Sequence, residues 1–337
     1  MTVLVTGAAG FLGSHLVDAL VAHGERPRAL VRPGEPAGPL ADLGVEVHVG
    51  DIARQEVIET ATNGVDEVIH CAALTGPWGP PEEYQATNVH ALELLVRTAL
   101  ARGIRRLVHV SSITVHGNDV HGVADEDAPL QDEPNPYSRS KVAGERLLER
   151  LIHDEGAPVT IVRPGWLYGP RDRASFARIA RMVDQGRMVL LGSGENHLPL
   201  IYASDAAEGL VLAARAPGAE GRAYLLVNDE PVTQRGFLAA IAGELRAPVP
   251  TKRAPYQLSV AAGRVAEGLW RLTRRSTPPP VTPYGLHLLG GDNRFQIDRA
   301  RGELGFAPVI GFAEGVRRSV EWYRAACGER PKAAVGP

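Results

Sequence analysis

Short runs of consecutive apolar residues alternate with longer stretches whose apolar residues recur every three or four positions. Thr2–Thr6 reads as a buried strand, and Phe11–His23 as a helix with Leu12, Leu16, Ala19 and Leu20 along one face. Further strands are predicted at Arg28–Val31, Val45–Val49, Glu67–Cys71, Leu107–Ser111 and Val159–Arg163. Helical periodicity fills much of the space between them, notably Tyr84–Arg102 and Ser138–His153. Strand, helix, strand in repetition predicts an α/β, doubly wound parallel sheet covered on both faces.

After Pro164 the texture changes. Helices near 174–186 and 233–246 are joined by loops containing Gly and Pro, and Thr277–Pro283 reads as a connecting segment. The expected division is a sheet domain over 1–165, to which segments near 198–228 and 284–300 return, and a smaller α/β part over 166–330. Residues 331–337, the end of the RPKAAVGP stretch, read as a flexible tail. Tyr256, Leu258, Val260, Val265, Leu269 and Trp270 form an amphipathic pattern followed by Arg271, Arg274 and Arg275. It is read as a helix packed on its own protein, with a membrane-surface helix as the alternative.

Composition narrows the class. Hydrophobic residues make up 44% and charged residues 22% of 337 positions, the range of a globular chain. The net charge of -3 and the scattered arginines give no support to nucleic-acid binding. Two cysteines, Cys71 and Cys327, form neither a disulfide framework nor a metal-ligand spacing, so no metal is expected. The opening MTVLVTG reads as a strand rather than a secretory signal, and no apolar run reaches membrane-spanning length. A cytoplasmic setting is expected.

Between the first strand and first helix stands Thr6-Gly-Ala-Ala-Gly-Phe-Leu-Gly13. In that position Gly7 serves a tight turn, Gly10 a close approach to a pyrophosphate, and Gly13 close packing of the helix on the sheet. The helix start, with Phe11 and Leu12, would offer its unpaired N–H groups to the phosphates. A glycine-rich turn without a ligand is the plain alternative. The Rossmann dinucleotide fold usually carries an acid at the end of the second strand. Here the chain reads Val31-Arg32-Pro33, so Arg32 is expected to favour NADP(H) over NAD(H), unless it is a solvated surface arginine. Asp51 and Ile52 close the third strand and are placed beside the adenine.

Tyr137 and Lys141 lie four apart at the start of a helical pattern and so share a face. An ammonium near a phenol favours the phenolate, which suits a tyrosine for acid–base work. Ser112, at the end of the fifth strand, offers a hydrogen bond to the same reacting oxygen.

With these residues in place the chain resembles the extended short-chain dehydrogenases/reductases of the NAD-dependent epimerase/dehydratase superfamily, over nearly its whole length. The resemblance implies that Ser112, Tyr137 and Lys141 are the catalytic triad and that Gly7, Gly10 and Gly13 hold the cofactor. It implies cofactor contacts at Cys71-Ala72-Ala73, Ser111, Tyr137, Lys141 and Pro164-Gly165, with Asn88 as a supporting asparagine. His116 replaces the tyrosine of many relatives and is either a substrate contact or a neutral structural histidine.

Ala72-Ala-Leu-Thr-Gly-Pro-Trp-Gly79 is similar to a loop of the 3β-hydroxysteroid dehydrogenase-like and 2-alkyl-3-ketoalkanoate reductase group, which points to Thr75 and Trp78 as substrate contacts. Trp166 and Leu198 are read with them as an apolar wall, though either suits ordinary core. Sugar-nucleotide relatives carry an arginine seven residues before the position of Asp205; that place is Leu198, with Arg171 as a substitute cation. The resemblance thus implies an NAD(P)-dependent ketoreductase or 3-hydroxy dehydrogenase for steroid, fatty-acyl or polyketide substrates. The alternatives are a sugar-nucleotide epimerase or dehydratase that recycles its NAD(P), and a non-catalytic cofactor sensor. It also implies a homodimer formed through helices 84–102 and 138–153.

Overall fold

The computed structural model of the protein describes residues 1–327, apart from 118, 119, 121, 133 and 274–276. Arg274, Arg275 and the expected tail therefore lie outside the described residues. Seven strands form the central sheet: β1 Val3–Thr6, β2 Arg28–Val31, β3 Glu46–Val49, β4 Glu67–His70, β5 Arg106–Val110, β6 Val159–Pro164 and β7 Ala223–Leu226. Their order is β7-β6-β5-β4-β1-β2-β3, and every pairing is parallel. The chain builds outward from β1 through β3, then returns to β4 on the other side of β1. That reversal leaves a crevice at the carboxyl ends of β1 and β4.

Alternation along each strand divides the core in two. Val3 and Val5 of β1 face one layer with Leu16 and Leu20 of the helix Phe11–Ala22 and Leu210 of the helix Ala203–Arg215. Leu4 faces the other layer with Leu92 and Leu95 of the helix Ala91–Ala101 and Leu148 of the helix Pro136–Glu155. Period-two side chains and two covered faces explain why the strands read as continuous apolar runs. A third core joins Tyr168, Phe176, Phe237, Val316 and Tyr323 in the C-terminal part.

Three features depart from the sequence reading. The expected helix over 84–102 is a helix Pro81–Gln85, a π-helical turn Ala86–His90 and a helix Ala91–Ala101. Within 284–300, the short strand Arg294–Phe295 pairs with Val123–Ala124 rather than with the central sheet. The helix Tyr256–Leu272 is not packed along its apolar face: only Val260 and Gly263 are fully buried, while Leu258, Val265, Leu269 and Leu272 are 68%, 65%, 55% and 80% exposed. Among the described residues no helix is long and apolar enough to cross a membrane.

Candidate active site

A cleft of about 1120 Å³ opens where the sheet reverses. The glycine loop forms one wall. Gly7 has φ +65°, a conformation that favours glycine, and a Cβ there would stand 2.8 Å from the Ala72 Cα. A Cβ on Gly13 would stand 2.1 Å from the Gly7 carbonyl oxygen. Gly10 donates its N–H to that same oxygen at 2.9 Å. The helix beginning at Phe11 has no side-chain cap and no acid in its first turn. Its N–H groups are therefore open to an anion. Phe11, Leu12, Cys71, Ala72 and Ala73 also line the cleft, so the loop and the chain after β4 fit a dinucleotide between them.

Arg32, Asp51 and Ile52 line the same cleft at the ends of β2 and β3. The Arg32 guanidinium is held by Glu35, with Nε and Nη2 donating to Oε1 at 3.0 and 2.9 Å. Any phosphate bound by Arg32 competes with that carboxylate.

The reactive face comes from the helix Pro136–Glu155. Asn135 caps it by accepting from the Ser138 N–H at 2.8 Å, and Pro136 takes the first turn, where its missing N–H costs nothing. Tyr137, Lys141 and Glu145 follow at four-residue spacing on one face. Lys141 Nζ donates to the Val110 carbonyl at 2.7 Å. Ser112 Oγ accepts from Thr114 N–H and Oγ1 at 3.2 and 3.1 Å, and the Tyr137 phenol stands near its hydroxyl. Ser111, Ser112, Tyr137 and Lys141 all line the cleft.

The electrostatics differ from the sequence expectation. Burial raises the Tyr137 phenol above its usual value, and the Ser112 hydrogen bond opposes that only in part. The Lys141 ammonium is turned onto the Val110 carbonyl. Burial lowers Lys141 itself to about 8, against the pull of Glu145. Tyr137 is therefore a protonated donor, suited to giving a proton to a forming alkoxide. Behind Lys141, His70 and His109 stack with ring centroids 5.4 Å apart, and burial pushes both far below the usual histidine range. Burial likewise lifts the Cys71 thiol to about 12, which leaves it unreactive.

Glu145 anchors this arrangement from below. It accepts from the Ser111 hydroxyl and from Arg163, whose Nη2 lies 2.6 Å from Oε2. Arg163 in turn donates to the Glu126 carbonyl at 2.7 Å and meets His116 Nε2 at 3.2 Å. Asn88, in the π-helical turn, bonds Leu74 N–H and C=O at 2.8 and 3.0 Å and Ser140 Oγ at 2.8 Å. It stands behind the cleft and fixes the chain that carries Ala72, Ala73 and Thr75 to the Tyr137 helix.

The expected substrate contacts separate. Thr75 and Trp166 line the cleft, as do Pro164 and Gly165. Trp166 also packs on Phe237 at 5.9 Å, so it is wall and core at once. His116 is buried in the Arg163 network, where Arg163 and burial keep it neutral; it is structural and does not reach the cleft. Leu198 is 4% exposed within the third core and is likewise corrected from wall to core. Trp78 stacks under Arg271, 5.3 Å from ring centroid to guanidinium, outside the lining of the cleft. Arg171 lines the cleft, but its Nη2 is taken by Asp18 and His15 of the glycine-loop helix.

Two groups escaped the sequence reading. Tyr284 meets the Tyr137 ring edge to face at 6.2 Å and, with Leu288, walls the cleft. Its separation from Tyr137 along the chain leaves no local signal. Glu145 did leave one: a carboxylate at the third step of the Tyr137–Lys141 face, turned toward the protein.

Comparison with known proteins agrees with this geometry. The model of the NAD dependent epimerase/dehydratase family matches residues 3–226. The chain is 33% identical over 327 residues to a 2-alkyl-3-oxoalkanoate reductase of Stenotrophomonas maltophilia (strain K279a), covering 94% of this chain and 98% of that one. It is 31% identical over 320 residues to a 4-hydroxy-2-methyl-3-oxo-4-farnesyl-3,4-dihydroquinoline-1-oxide ketoreductase of Stigmatella aurantiaca, covering 94% and 95%. The solved structure of the protein named gox2253 superimposes with a TM-score of 0.82 at 29% identity, covering 98% of this chain and 99% of that one. The chain belongs to the NAD dependent epimerase/dehydratase family and is an oxidoreductase of the extended short-chain dehydrogenase/reductase type.

Proposed function

We propose that this chain reduces the ketone of a largely apolar 3-keto substrate, of fatty-acyl, polyketide or steroid type, and oxidises the matching 3-hydroxy compound in reverse. The observation that carries this reading is the placement of Ser112, Tyr137 and Lys141 together on the wall of the cleft, beside the glycine loop. The reductase names of the two relatives support it. A nicotinamide dinucleotide bound along the glycine loop supplies the hydride equivalent. Ser112 polarises the substrate carbonyl oxygen. Tyr137 gives its proton to that oxygen as negative charge develops. Lys141 holds the tyrosine helix to β5 through the Val110 carbonyl. Tyr284, Leu288 and Trp166 exclude water and accept the apolar body of the substrate.

The finer assignments belong to the same proposal. NADP(H) is the preferred cofactor, because β2 ends in Val31-Arg32-Pro33 with no acid among those three residues and Arg32 stands at the cleft, paired with Glu35. Residues 1–165 with β7 hold the cofactor, and most of 166–327 shapes the substrate end. The protein works in the cytoplasm as a homodimer through the helices around 84–102 and 138–153. Those helices lie side by side, joined by Arg97 Nη1 to Glu155 at 2.7 Å.

The sugar-nucleotide reading lacks a cation for the diphosphate. Leu198 occupies the arginine position, and Asp18 holds the substitute, Arg171. A diphosphate would forgo charge-assisted bonds worth about 1.5–3 kcal/mol each. A purely sensory protein has no use for Ser112, Tyr137 and Lys141 brought together at the cleft. The deciding assay follows reduced-nicotinamide absorbance with a panel of 3-keto acids and ketones beside UDP-glucose. Ketone-dependent NADPH oxidation supports the proposal; epimerised sugar with no net oxidation replaces it.

A further inference from the structure

We infer that the helix Tyr256–Leu272 docks on an anionic lipid surface. At helical spacing, Leu258, Ala261, Ala262, Val265, Leu269 and Leu272 form one stripe, and all six are exposed. The opposite side faces the protein. There Val260 packs with Leu191 and Leu286, and a Cβ on Gly263 would come within 2.9 Å of Leu286. The helix is thus seated by its narrow small-residue face and turns its wide apolar face outward.

Charge names the occupant. Residues 252–273 carry Lys252, Arg253, Arg264 and Arg271 against a single acid, Glu267, in a chain whose net charge is -3. Lys252 and Arg253 are exposed just before the helix and Arg264 is exposed on one side of it, while Arg271 is held by Glu267 at 2.6 Å and lies over Trp78. An apolar stripe with exposed cations at its N-terminal end and along one side is the pattern of a helix lying in a lipid interface, where apolar burial and attraction to acidic headgroups act together.

The position also suits the cleft. The stripe's helix rests on the helix Pro283–Gly290, through Leu286 and through Tyr256 Oη and His287 Nδ1 at 2.7 Å. Tyr284 and Leu288 of that second helix wall the cleft. Docking would set the cleft's apolar wall one helix away from the lipid.

The test is flotation of the full-length protein with vesicles of equal parts phosphatidylglycerol and phosphatidylcholine, and with phosphatidylcholine alone. Wild type is expected to float with the anionic vesicles, at least tenfold less with the neutral ones, and less again in 0.5 M salt. Val265→Glu combined with Leu269→Glu is expected to lower flotation at least tenfold. Both positions are solvent-exposed, so melting temperature and turnover of a short, soluble ketone should stay unchanged. No flotation of wild type, or equal flotation of the double variant, overturns the inference. Loss of self-association in the double variant during sedimentation, without any vesicle binding by wild type, assigns the stripe to a second copy instead.

Discussion

The Lys141 ammonium donates to the Val110 carbonyl at 2.7 Å, tying the middle of the tyrosine helix to the last residue of β5. The bond fixes Tyr137, one turn earlier, over the Ser112 turn. It holds a cation in a buried place, and that has a consequence for stability.

Burial brings Lys141 from 10.5 to about 8. Between those pH values the unfolded chain binds a proton that the folded chain has released, so this residue makes stability rise with pH. The burden is fully present below about 8 and gone above about 10.5. At 1.36 kcal/mol per unit the rise is about 3 kcal/mol. Urea unfolding of wild type and Lys141→Met at pH 7 and pH 10 measures it. The wild-type minus variant difference should move in favour of wild type at the higher pH. A difference that stays flat contradicts the burial argument.

Glu145 is fully buried and meets Arg163 through both carboxylate oxygens. Glu145→Gln leaves a buried guanidinium without its counter-charge and should cost about 3–5 kcal/mol in urea unfolding. Replacing both partners, Glu145→Leu with Arg163→Met, should cost clearly less than Glu145→Gln alone, since no uncompensated charge remains.

Gly13→Ala places a methyl 2.1 Å from the Gly7 carbonyl oxygen, a backbone atom that cannot swing away. The loop must shift, and calorimetric affinity for NADPH should fall at least tenfold, about 1.4 kcal/mol.

Arg32 and Glu35 make opposite predictions for the cofactor. Arg32→Ala should weaken NADPH at least tenfold and leave NADH within about twofold, as a lost charge-assisted contact would. Glu35→Gln releases the guanidinium now held at 3.0 and 2.9 Å and should tighten NADPH. Equal effects on both nucleotides would mean that Arg32 does not read the 2'-phosphate.

Much of this fold was legible in the chain because parallel strands buried on both faces read as uninterrupted apolar runs: Val3-Leu-Val-Thr6 is buried at every position. The glycine loop and the Tyr137–Lys141 spacing were legible because each is local. What escaped depends on contacts between distant residues. The π-helical turn at Asn88 follows from its bonds to Leu74 and Ser140, not from helical propensity. His116 and Leu198 could be pocket or structural residues from their neighbours in sequence; the Arg163 network and the third core decide for the structural role. The exposed stripe of Tyr256–Leu272 has the same apolar spacing as a packed helix, and periodicity alone cannot tell which side faces the protein.

The central claim is that Tyr137 gives the proton in ketone reduction, and Tyr137→Phe tests it most directly. The variant keeps the ring and its edge contact with Tyr284 while removing only the hydroxyl. Turnover of a 3-keto substrate, followed by NADPH absorbance, should fall by about 10²–10⁴-fold. NADPH affinity and melting temperature should hold near wild type. Turnover within threefold of wild type, with cofactor bound normally, would contradict the account and require another proton donor in the cleft.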